Sequence, residues 1–162
     1  MKTIIFDFCD NLGGLAKMYA IPPASLESIT HNYTQKQSFL NITSDEDMIE
    51  IYCTPDTMQF SEEKTQPSAG PTYNPVVTGI IPKAHELNQE QLTRLESDYW
   101  LLLFEDNNGK IRLAGDEDSH LVFTRTESTG QNLQNRNQIQ FTFTGFQSHP
   151  CYFIYKVFTA LY

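Results

Sequence analysis

Residues 99–114 read YWLLLFEDNNGKIRLA. Two apolar runs, Tyr99–Glu105 and Lys110–Ala114, flank Asp106-Asn107-Asn108-Gly109. Asn-Gly between apolar runs is the strongest short-range hairpin signal. A hairpin this apolar needs further layers to cover it, and the rest of the chain supplies mostly strands. Leu121–Thr126 and Gln138–Gly145 form a second large hairpin, with Phe123 on one side and Ile139, Phe141 and Phe143 on the other pointing to a core. Cys151–Tyr162 is strongly apolar and aromatic and adds a final strand. Near the start, Thr3–Cys9 and Leu15–Ile21 flank Gly13-Gly14, which supplies the positive φ of a hairpin turn, and Pro22-Pro23 stops the second strand. Ala24–Lys36 has room for a short strand. Ser38–Ile42 and Met48–Cys53 form another expected pair, because Ile49, Ile51 and Cys53 alternate with Glu50 and Tyr52.

One helix is expected. Asn88 is a good N-cap residue, Gln91 stands where a capping box wants Glu or Gln, and Leu87 and Leu92 fit a hydrophobic staple. Leu92 and Leu95 share a face, so the helix runs over Gln89–Ser97 and needs a sheet to pack on. The pattern gives about ten strands and one short flanking helix, with no βαβ alternation, internal repeat or interdomain linker. The expected fold is mainly β: an antiparallel β-sandwich or barrel, in a single domain over residues 1–162.

The stretch from Thr57 to Lys83 departs from this economy. Thr57–Ser61 and Val76–Ile81 are strand-like, but Glu62–Asn74 between them is charged or rich in Pro, Gly and Ser. Strands that only have to fold are joined by two to five residues or so, and longer connections are usually functional. This arm lacks His, Cys or a Ser beside a base, so it reads as a protein-contact element. Ser128–Asn137 is a second long polar connection.

Charge and chemistry exclude more than they assign. Twenty acids oppose 11 bases, for a net charge of −9, and the bases are scattered singly. There is no basic stripe for direct nucleic-acid recognition or for attraction to an anionic membrane. No run approaches the roughly 18 apolar residues of a membrane span. The Met1–Cys9 segment is read as a strand, since Asp7 interrupts an apolar run shorter than the about 7–15 residues of a secretory h-region. Without an export signal the sequons at Asn32 and Asn41 carry no weight. Cys9, Cys53 and Cys151 lie in apolar surroundings as buried free thiols, in keeping with the cytoplasm.

Asp106–Gly109 resembles the start of a calcium loop but puts Lys110 where an oxygen ligand is needed. Asp116-Glu117-Asp118 and Asp45-Glu46-Asp47 read as solvated turns, with weak divalent-ion binding as the sharper alternative. His31, His85, His120 and His149 lack metal-ligand spacing. His149 and Cys151, two apart in an extended segment, share a face, but no third group orients them and nothing marks an oxyanion site. No phosphate loop, dinucleotide fingerprint or nucleophile elbow occurs. No catalytic residue, cofactor or metal is therefore expected.

Several segments together resemble a family of short proteins from temperate phages and mobile elements of Gram-negative gut anaerobes: FDFCDNLGG, YAIPP, FSEEK with YNPVVTGIIPK, LNQEQL with RLE and YW, DNNGKIRLAG, and RTESTG with NRNQIQFTFTG and HPCYF. The order hairpin arm, helix, further strands also resembles the tail-tube superfamily of phage tube and tube-terminator proteins. That resemblance implies a ring-like homo-oligomer that contacts other structural proteins, cytoplasmic until assembled into a virion. It implies contact roles for Glu62, Glu63, Lys64, Tyr73 and Asn74, with Asn135, Arg136 and Asn137 of the second connection as rivals. The alternative is a β-sandwich binding module for a glycan or small ligand, with Tyr73, Tyr99 and Trp100 as platforms.

Overall fold

Tyr99–Asp106, strand β7 of the computed structural model, is buried on both faces. Alternation along a strand sends Trp100, Leu102 and Phe104 to one side and Leu101 and Leu103 to the other. Both sides are apolar, so the strand takes the centre of the structure and two separate clusters form against it. The structure describes residues 12–32, 34, 37–68, 70–82, 85–129 and 137–159. The expected strand Thr3–Cys9 lies outside them.

Among the described residues there are eleven strands and one α-helix. In chain order the strands before the helix are β1 (Leu15–Ile21), β2 (Leu26–Asn32), β3 (Gln37–Ile42), β4 (Ile49–Glu50), β5 (Gln59–Thr65) and β6 (Thr72–Pro82). Helix α1 (Gln89–Ser97) and β7 are followed by β8 (Ile111–Ala114), β9 (Leu121–Ser128), β10 (Gln138–Thr144) and β11 (Tyr152–Thr159). They form one open, mixed sheet in the order β2-β3-β11-β8-β7-β9-β10-β6-β5, with β1 on β7 and β4 on β1. The fold is mainly β and sandwich-like, and the sheet does not close into a barrel. The pairing of β3 with β11 is parallel, and every other pair is antiparallel.

Connectivity explains the two clusters. Strands β1 and β2 sit at opposite ends of the series β1-β7-β8-β11-β3-β2, yet only Pro22–Ser25 joins them. So short a link forces the sheet to curl. Its concave side closes over Ile21, Leu40, Ile42, Leu101, Leu103, Leu113 and Ile154. The opposite face of β7 packs against β6, β9, β10 and α1 through Trp100, Leu102, Phe104, Val77, Phe123, Phe141, Phe143, Leu92 and Leu95. Gly79 lies opposite Phe141, and a Cβ there would come within 2.7 Å of the Phe141 ring, so the glycine makes room for the aromatic. Trp100 is fully buried, and its indole N–H donates to the Leu95 carbonyl at 3.0 Å, which ties α1 to β7. Glu96 adds an ion pair with Arg125 of β9 at 2.9 Å.

The Tyr99–Ala114 and Leu121–Gly145 hairpins form as expected, and α1 spans the expected residues. Three expectations are corrected. Met48–Cys53 does not pair with Ser38–Ile42: β3 is flanked by β2 and β11, so the short β4 pairs with β1 instead. Asn88 makes no side-chain cap, because the 3-10 turn Glu86–Asn88 runs into the helix and leaves Asn88 helical at φ −92° and ψ −8°. Glu62–Asn74 is not a loop. Strands β5 and β6 continue through it in register, from Glu62 opposite Pro75 to Thr65 opposite Thr72.

The two-sided burial of β7 yields a direct expectation. Leu101→Ala and Leu102→Ala remove neighbouring side chains from different clusters, so each should destabilise the protein by about 2–5 kcal/mol in urea unfolding. A strand with one solvated face would lose stability at only one of the two positions.

Candidate functional site

The β5–β6 arm is built from the hairpin register outward. Toward its root β5 alternates, with Phe60 and Glu62 half-buried, whereas Glu63, Lys64 and Thr65 toward its tip are all exposed. Glu62 turns inward, and its carboxylate accepts the backbone N–H of Cys151 at 2.8 Å. Tyr73 exchanges backbone hydrogen bonds with Gln147 at 2.8 and 3.0 Å, an isolated antiparallel bridge. Asn74 accepts a hydrogen bond from the Thr144 hydroxyl at 3.0 Å. Glu63 and Lys64 stay exposed, with the Lys64 ammonium 5.8 Å from the centre of the Tyr73 ring. Of the expected contact residues, Glu62, Tyr73 and Asn74 thus anchor the arm, while Glu63 and Lys64 are presented outward. Asn137 is exposed just before β10, and Asn135 and Arg136 lie outside the described residues.

The receiving side of the anchor is residues 145–151, GFQSHPC, between β10 and β11. Gly145 allows it to leave the sheet: a Cβ there would meet the His120 carbonyl oxygen at 2.6 Å. Gln147 is buried, and both ends of its amide are used. Its Oε1 accepts the N–H of Gly115 at 2.9 Å, and its Nε2 donates to the His149 carbonyl at 2.8 Å. A polar side chain buried with its partners matched holds one geometry, because losing any partner leaves a group unsatisfied.

His149 continues the network. Its Nε2 bonds the carboxylate of Asp116, its Nδ1 faces the Pro150 carbonyl at 2.9 Å, and its ring stacks on Tyr152 with centroids 4.1 Å apart. His31 contacts Tyr152 with centroids 4.5 Å apart and bonds Ser38 at 3.0 Å. No group near it in sequence orients His149; the tertiary structure supplies Asp116, 33 positions away. Burial alone raises the Asp116 carboxyl, but the bond from His149, the N–H groups of Asp118 and Ser119 and the His149 charge outweigh it and hold the carboxyl below its usual range.

This arrangement does not make a cysteine nucleophile. Cys151 is buried, and burial reinforced by the Glu62 carboxylate pushes its thiol well up, although Gln147 and Arg112 pull the other way. The reactive thiolate is then scarce at neutral pH. Burial also pushes Cys53 up to about 12. Both cysteines are free and buried, as expected, and Cys9 is outside the described residues. No group of three or more His, Cys, Asp or Glu suited to a metal occurs among the described residues. Trp100 is removed as a ligand platform by its burial, whereas Tyr99 is 63% exposed. No described helix is long and apolar enough to cross a membrane.

Comparison with protein-family models, characterised proteins and solved structures returns no match.

Two outcomes test the anchor. Gln147→Leu keeps the volume but strands the partners of the amide, so it should destabilise the protein by about 1–3 kcal/mol. It should also speed hydrogen exchange of the Tyr73 amide, which a purely local effect would leave unchanged. For Asp116 the folded-state carboxyl titrates below the unfolded one. Its contribution is present above the unfolded value near 3.9 and is lost as pH falls through the folded value. Stability between about pH 5 and 2 should therefore fall less steeply in Asp116→Asn than in the unsubstituted protein.

Proposed function

We propose that this chain is a non-enzymatic structural subunit that works by assembling with copies of itself and with other structural proteins, in the manner of phage tail-tube or tube-terminator subunits. The observation that carries this reading is the β5–β6 arm. Among the described residues its outer strand β5 ends the sheet and pairs only with β6, and it is rooted to the body through Glu62, Tyr73 and Asn74. An unpaired strand edge templates pairing with another chain, which becomes useful in a closed ring. A protein that only had to fold gains nothing from extending two strands past its core.

The chain order supports the same reading: the arm precedes the single described helix, and five strands follow. The phage origin rests on the sequence resemblance. Such a subunit resides in the cytoplasm until it joins a virion. A glycan-binding module is disfavoured because burial of Trp100 removes the largest candidate platform.

Sedimentation velocity tests the proposal. The unsubstituted protein should form concentration-dependent oligomers. Replacing residues 66–71 by Asn-Gly closes the hairpin at the Thr65–Thr72 pair and spares the anchor. That variant should keep its circular dichroism and melting temperature but lose assembly. A strict monomer at every concentration of the unsubstituted protein would defeat the proposal, and oligomers that survive the replacement unchanged would confine the contact to the β5 edge that the variant keeps.

A further inference from the structure

The outer face of the curled sheet carries an aromatic cluster that the fold does not use. On β11, Tyr152, Ile154 and Val157 point into the inner cluster, while Phe153, Tyr155 and Phe158 point outward and are 55%, 66% and 42% exposed. Phe39 of the neighbouring β3 lies between two of them, with ring centroids 5.9 Å from Tyr155 and 6.0 Å from Phe158. Three large apolar side chains exposed along one strand constitute a patch, in contrast to scattered surface residues.

Two cations lie on this face. The Arg112 guanidinium of β8 sits 4.3 Å from the centre of the Phe153 ring and 5.3 Å from that of Phe60, and the Lys156 ammonium sits 4.8 Å from that of Phe158. Among the described residues no carboxylate closes an ion pair with either one. In a chain of net charge −9 this is a local reversal of sign. Aromatic residues and arginine held together on a surface are the composition of interface hot spots.

We propose that this face, Phe39, Phe153, Tyr155 and Phe158 with Arg112 and Lys156, receives the arm tip of a second copy of this chain. The inference rests on the assembly reading above and names the surface that the arm meets. Complementarity selects the occupant. The tip presents exposed Pro67 and Pro71, and aromatic-lined surfaces take proline with little ordering entropy because its backbone is already restricted. Exposed Glu63, just behind the tip, supplies a carboxylate for Lys156. The contact is heterologous, since the arm of one copy meets the sheet face of the next. Repetition of such a contact builds a ring or a filament.

Complementation between two variants tests this. Tyr155→Ser with Phe158→Ser changes only exposed side chains and should weaken self-association about tenfold or more while leaving the melting temperature in place. Lys156→Glu should weaken it as well, and Glu63→Lys in the same chain should restore it. The patch variant keeps its arm, and the variant with residues 66–71 replaced keeps its patch. Mixed together, the two should form a one-to-one complex that neither forms alone. If the patch variant assembles like the unsubstituted protein while the arm variant does not, the receiving surface is elsewhere and the assembly reading stands. If neither variant self-associates and their mixture yields no complex, arm and patch do not meet. If the unsubstituted protein never associates, the assembly reading falls and this inference with it.

Discussion

Everything in this structure depends on one strand being apolar on both sides. In an ordinary sandwich a strand faces the core with alternate residues and water with the others. In β7 five consecutive residues, Trp100–Phe104, are buried. Each large side chain taken from water contributes about 1.5–3 kcal/mol. The chain gains this twice only by covering both faces, and it does so with two devices. The four residues Pro22–Ser25 draw β1 and β2 together and curl the sheet over one face. The β6, β9 and β10 layer and helix α1 cover the other.

That solution leaves two features without a folding role. The β5–β6 hairpin continues past the end of the core, and the convex side of β3 and β11 faces solvent with aromatic residues. The first is held rigidly by a buried polar junction. Gln147 sits between the arm and the Gly115 turn, and His149 joins the same segment to Asp116. Such a junction costs desolvation and is favourable only when every group is matched, so it specifies the direction of the arm more than it adds to stability. The assembly proposal rests on this anchored projection and on the exposed aromatic face of the body.

Local signals in the sequence were sufficient wherever structure is local. The Asn107-Asn108-Gly109 turn, helix Gln89–Ser97 and the Phe-rich hairpin of β9 and β10 follow from turn chemistry and periodicity, which act over a few residues. Pairing between distant strands was not legible. The parallel β3–β11 pair joins residues more than a hundred positions apart, and β4 pairs with β1 although β3 is its neighbour along the chain. Glu62–Asn74 reads as a loop in the sequence because its composition is that of a solvated segment. A two-stranded ribbon in water needs no apolar face when its strands bond each other, water serves its outer groups and its root is anchored.

The same division holds for the candidate site. The sequence alone determined that the chain is mainly β, that Glu62–Asn74 is unusually polar for its surroundings, and that Glu63 and Lys64 lie in that polar stretch. Only the tertiary structure decided that Glu62, Tyr73 and Asn74 are anchors, that Asp116 orients His149, and that Phe39, Phe153, Tyr155 and Phe158 share one exposed face. The physical reason is that an aromatic residue in a strand-like run reads the same whether it points inward or outward. Which side is covered depends on how the whole sheet curls, and that curl is set by a four-residue link between strands at its opposite ends.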